Sequence, residues 1–94
     1  MISSRHITLF GRVHGVGFRW SCRRQALALG VTGWVCNRSD GAVEIHAEGE
    51  ADAISTFEAW CREGPPFASV QAVDARDVPA NNATAFEIRL ATEP

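Results

Sequence analysis

The stretch Gly11-Arg12-Val13-His14-Gly15-Val16-Gly17-Phe18-Arg19 is a glycine-rich turn between a strand-like run and a helix-like run, and its chemistry is that of an anion site. Glycines at 15 and 17 permit positive φ and let the backbone approach a ligand closely. The first N–H groups of the following helix lack intrahelical partners, and the helix dipole favours an anion at that end. Arg19, at the same helix start, adds a planar cation able to take two phosphate oxygens at once. Together these make a cradle for a phosphoryl group. The loop has neither the Gly-Lys-Ser/Thr ending of a Walker A motif nor the spacing GxGxxG, which disfavours a nucleotide.

A second constellation, Gly33-Trp34-Val35-Cys36-Asn37-Arg38-Ser39-Asp40-Gly41-Ala42-Val43, ends a strand-like run on a lone carboxamide, Asn37. An Asn in that place is commonly a turn former. The same group can also donate to and accept from one water, holding it without deprotonating it.

Charge is divided along the chain. Arg5, Arg12, Arg19, Arg23, Arg24 and Arg38 precede the first acid, Asp40, giving +6 up to Ser39. From there three arginines face all 11 acids, so the overall −2 hides a basic half and an acidic half. The cysteines, at 22, 36 and 61, are odd in number and lack CxxC spacing, which argues against a disulfide framework or a structural zinc site. Cys22 and Cys61 fall on apolar helix faces and read as small core residues. No apolar run approaches the roughly 20 residues of a membrane span, and no h-region follows the N-terminus, so a cytoplasmic protein without a membrane partner is expected.

Periodicity supplies the frame. Residues 5–12 read as a strand with Ile7 and Leu9 on one face, and 18–29 as a helix burying Phe18, Cys22, Ala26 and Leu29, stopped by Gly30. Residues 31–37 form a second strand, Asp40-Gly41 a turn, and 42–48 a third strand with Val43, Ile45 and Ala47 inward. Glu44, His46 and Glu48 then point outward, and His6 and His46 are expected in solvent. A helix over 51–62 buries Ile54, Phe57 and Cys61 and ends at Gly64-Pro65-Pro66. A fourth strand spans 69–78, and in a last one Phe86, Ile88 and Leu90 alternate with Glu87 and Arg89. The order β-α-β-β-α-β with an extra terminal strand implies an α+β, ferredoxin-like sandwich. Its antiparallel sheet has four to five strands and both helices on one face. All 94 residues fit one domain.

With both constellations in view, the chain resembles the acylphosphatases, small enzymes that hydrolyse the carboxyl–phosphate bond of acyl phosphates. The resemblance rests on residues 11–19, 26–30, 33–37, 40–44, 47–49, 64–66 and 86–89, in the family's order across nearly the whole chain. It implies that Arg19 binds phosphate, that His14, Gly15, Val16, Gly17 and Phe18 supply backbone amides, and that Asn37 orients the attacking water. It implies neither metal nor cofactor. His14 stands where the family often has Gln, Arg38 where some members carry a small hydroxyl residue, and Cys36 in a slot often held by a larger or basic residue. The expected partners are a small acyl phosphate and inorganic phosphate, with the chain a monomer. The end of the chain at Pro94 favours a free-standing enzyme over the related N-terminal part of hydrogenase maturation factors, which would bind carbamoyl phosphate. A non-catalytic phosphate- or carbamoyl-phosphate-binding domain on the same scaffold, which has no need of the Arg19 and Asn37 pair, is a second alternative. An RNA-binding module of the same element order is a third. It needs stacking aromatics on its central strands, where this chain has acids, so no nucleic-acid partner is expected.

Overall fold

Strict alternation of apolar and polar residues makes strands whose one face must be covered, and here two helices cover it. The computed structural model describes residues 1–92: β1 Ile2–Arg12, α1 Phe18–Leu29, β2 Thr32–Arg38, β3 Val43–Glu50, α2 Ala51–Glu63, β4 Ser69–Asp77 and β5 Phe86–Thr92. The helix expected over 18–29 forms with those bounds, and Gly30 ends it in the left-handed conformation, as a C-terminal glycine cap requires. The strands form one sheet in the order β4-β1-β3-β2-β5. Helix α1 packs over β2 and β5, and α2 over β1, β3 and β4.

Between sheet and helices lies one core. Ile7, Leu9, Val35, Val43, Ile45 and Ala47 from the sheet meet Phe18, Cys22 and Ala26 of α1 and Ile54, Phe57 and Cys61 of α2. Register explains the common face: Ile7 pairs with Ile45 and Leu9 with Val43 across β1 and β3, while Val35 pairs with Ile45 across β2 and β3. Cys22 and Cys61 are fully buried free thiols in this core, and burial, followed by contact with Cys61, pushes the Cys22 thiol well above its ordinary range.

Three expectations are corrected. The sheet is mixed rather than antiparallel, because β5 runs parallel to β2. Residues 78–85 accordingly do not turn back onto β4. They cross from the β4 edge to the opposite edge, held by Val78 N–H on the Ser4 carbonyl and by Gly33 N–H on the Ala85 carbonyl. Leu90 shares the parity of Phe86 and Ile88 but is 89% exposed. The β2–β5 register shifts between Cys36 and Arg38, so β5 leaves the regular ladder just there.

The third correction concerns the outward residues of β3. His46 and Glu48 are buried, at 4% and 5% exposure, and His6 is half-buried. The crossing segment explains it: the Glu48 carboxylate accepts the backbone N–H groups of Asn81 and Ala83 and bonds His46 Nε2 at 2.6 Å. His46 in turn stacks on Trp34, with ring centroids 6.1 Å apart, and Arg89 lies 5.1 Å from the Trp34 ring centre. His6 Nε2 bonds Glu44 at 2.7 Å. A covered sheet face, not a solvated one, is what these polar residues build.

Burial raises the Glu48 pKa, but its bonds from His46, Asn81 and Ala83 outweigh burial and hold it below the ordinary value of 4.5. A depressed carboxyl contributes stability that is complete above the unfolded pKa and disappears as pH falls through the folded one. Glu48→Gln should therefore lower stability at pH 7 by about 1–3 kcal/mol. Urea unfolding from pH 7 down to pH 3 should also show a shallower acid-side fall than in the wild type.

Candidate active site

The loop between β1 and α1 owes its shape to two glycines. Gly15 has φ 70° and Gly17 φ 77°, and a Cβ added at either would meet nothing within 4 Å. Their requirement is thus conformational rather than steric. Gly17 is the N-cap of α1 and offers no side chain to the helix end, and the first turn holds no acid. The first helical bond runs from Ser21 N–H to the Gly17 carbonyl, leaving the N–H groups before it free of intrahelical acceptors. An uncapped, positively polarised helix end opens into the loop.

Arg19, half-buried, stands on this first turn. Asn37 comes to it from β2, opposite Val43 and beside the irregularity in the β2–β5 ladder. Its Oδ1 is buried and has no hydrogen-bond partner among the described residues. A buried acceptor left in that state is costly unless something binds it. Val13, Gly15, Gly17, Phe18, Arg19, Trp20 and Asn37 line one cavity of about 80 Å³. That is well under the roughly 300–1,000 Å³ of cofactor-sized pockets and suits a small oxyanion.

Five of the seven residues singled out from the sequence, Gly15, Gly17, Phe18, Arg19 and Asn37, therefore meet in one place. Phe18 does so through its backbone, since its ring is buried against Trp60 at 5.5 Å between centroids. His14 and Val16 line the adjoining groove instead. The His14 ring reaches across to bond the Ala42 carbonyl through Nε2 at 2.9 Å, bracing the loop against the start of β3. Phe67 lies in that groove too, marked in the sequence only as an aromatic directly after Gly-Pro-Pro.

The basic half resolves into distinct uses. Arg5 bonds Glu58 and Asp77, Arg23 Nε donates to the Phe86 carbonyl, and Arg38 pairs with Asp40 at 2.8 Å. The Ala42 N–H on Asp40, and then Arg38, hold that carboxyl below its ordinary range, so Arg38 serves the turn. Arg12, Arg19 and Arg24 make no ion pair among the described residues, and of these Arg19 alone lines the small cavity.

Fold and site together define a small ferredoxin-like α+β protein whose uncapped helix start shares one small cavity with Arg19 and Asn37. The chain belongs to the acylphosphatase family, whose model matches residues 5–88. An acylphosphatase of Synechococcus sp. (strain CC9605) is 52% identical over 79 residues, covering 84% of this chain and 95% of that one. The structure of an acylphosphatase from Coxiella burnetii is similar at a TM-score of 0.90 and 41% identity, over 94% of this chain and 93% of that one. Full-length HypF, solved in a phosphate- and nucleotide-bound form, is similar at a TM-score of 0.92 and 31% identity, but over only 12% of its own chain. The activity of this chain is accordingly the hydrolysis of acyl phosphates.

Because Gly17 holds a left-handed φ in open space, Gly17→Ala should cost about 1–2 kcal/mol. Calorimetric titration should show weakened binding of inorganic phosphate as well. Gly17→Asn, whose side chain tolerates that conformation, should recover part of both losses.

Proposed function

We propose that hydrolysis runs through Arg19, the loop amides and Asn37, with no covalent intermediate and no metal. The leaving group of an acyl phosphate is a carboxylate of pKa roughly 4, stable at neutral pH without a proton donor. What remains is to hold the phosphoryl group and to bring water in line with the bond that breaks. The Arg19 guanidinium and the backbone N–H groups of His14, Gly15, Val16, Gly17 and Phe18 take the phosphoryl oxygens. Asn37 holds a water on the face opposite the carboxylate. The water oxygen bonds phosphorus as the phosphorus–oxygen bond to the acyl group breaks. The electron pair of that bond leaves on the carboxylate, and the water's proton passes to a phosphate oxygen.

The observation that carries this reading is the unpartnered, buried Oδ1 of Asn37 in the cavity shared with Arg19 and the uncapped start of α1. An acceptor there can take one O–H of a water and direct its lone pair toward the cradle. The partner is a small molecule rather than a nucleic acid. On this reading the chain works as a monomer and as a single domain over residues 1–94. Cys22, Cys36 and Cys61, buried cysteines outside any disulfide among the described residues, support a reducing, cytoplasmic setting.

Turnover of benzoyl phosphate in the presence of EDTA tests the reading. The wild type should remain active, and Arg19→Ala and Asn37→Ala should each lose about 10²–10³ in kcat, the scale of one preorganised donor. Turnover within a few-fold of wild type in either variant would overturn the assignment of that residue.

A further inference from the structure

At about 80 Å³ the small cavity has room for a phosphoryl group and little more, so an acyl group must lie outside it. In-line displacement places nucleophile and leaving group on opposite sides of phosphorus. Strand order then gives the direction. The loop leaves the end of β1, and Asn37 lies one residue before the end of β2, two strands away on one side. On the other side of β1 lies β4, whose first residue, Ser69, pairs with Arg12. Two residues before it stands Phe67.

Phe67 is 81% exposed, unusual for so large an apolar side chain, yet its backbone is firmly placed. Gly64 N–H bonds the Trp60 carbonyl at 2.8 Å and Ala68 N–H the Pro65 carbonyl at 2.9 Å. Gly64 packs so tightly on Phe18 that a Cβ there would come within 2.8 Å of its ring. The turn carrying Phe67 is thus pinned to the residue that precedes Arg19. Between Phe67 and the loop runs a groove of about 420 Å³ lined by Arg12, His14, Gly15, Val16 and Phe67, and it meets the small cavity at Gly15.

We propose that this groove is the acyl subsite and that Phe67 is a specificity-determining residue selecting flat, apolar acyl groups, which lie between its ring and Val16. The proposal rests on Asn37 holding the attacking water, since that fixes the side on which the carboxylate leaves. Trp20 is the competing aromatic, 70% exposed and lining the small cavity. It rises from α1, which packs over β2 and β5, and it does not line the groove that holds Phe67.

The test compares kcat/KM for benzoyl phosphate and acetyl phosphate in the wild type, Phe67→Ala, Phe67→Trp and Trp20→Ala. The benzoyl-to-acetyl ratio should fall about 5–10-fold in Phe67→Ala, through KM for benzoyl phosphate, on the scale of one aromatic contact. Phe67→Trp should keep the ratio high. Phe67 is exposed, so the substitution leaves the core untouched, and an unchanged thermal midpoint would verify it. A ratio unmoved in Phe67→Ala, or one that falls in Trp20→Ala instead, overturns the proposal while the hydrolase reading stands. A folded wild type that turns over neither substrate removes both.

Discussion

Helix α1 starts without a cap, and much of the molecule serves that start. Gly17 contributes a backbone turn but no side-chain acceptor, and no acid lies in the first turn to offset the dipole. A helix end in this state binds water or an anion, and the groups around it favour the anion. The half-buried Arg19 stands on the same turn, and the buried Phe18 ring, packed on Trp60, anchors that turn to α2. Any acidic cap introduced here would satisfy the helix internally and remove the site.

The rest of the fold sets the distance between this helix end and Asn37. Arg19 and Asn37 are carried by consecutive elements, α1 and β2, yet β2 does not lie beside β1 in the sheet. The loop must therefore face across β3, and His14 spans that gap by bonding the Ala42 carbonyl at the start of β3. At the opposite end of the sheet, Glu48 binds the crossing segment, and Gly33 N–H ties that segment to β2 through Ala85. Polar groups on the sheet face away from the helices thus lock the strand that carries Asn37 from the far end, while the core packs it from the helix side.

Much of this was legible in the residues. Helical spacing of Phe18, Cys22 and Ala26 together with Gly30 defined α1 to the residue, because cap chemistry and periodicity agreed there. The glycine loop was legible for the same local reason, since Gly15 and Gly17 both take the positive φ expected of them. The failures were non-local. Alternation along β3 distinguishes two faces but not whether a later segment will cover the second, so His46 and Glu48 read as solvated. Likewise, nothing in Asn81-Asn82 distinguishes a hairpin turn from a crossing to the far edge, and β5 was assigned the wrong direction. Asn37 is intermediate: its residue type fits a turn equally well, and only tertiary structure brings its unpartnered carboxamide oxygen to the cavity that Arg19 lines.

The central claim is that one cradle, built from the β1–α1 loop, Arg19 and Asn37, holds the phosphoryl group. Titration of the ¹⁵N-labelled protein with inorganic phosphate, followed by backbone and side-chain N–H resonances, tests it most directly. The account requires saturable shifts concentrated in the amides of residues 14–20, the Arg19 guanidinium and the Asn37 carboxamide, all with one dissociation constant. Shifts clustered instead around Trp34 and Arg89 on the covered sheet face, or around Arg5 and Arg62 beside α2, would contradict it.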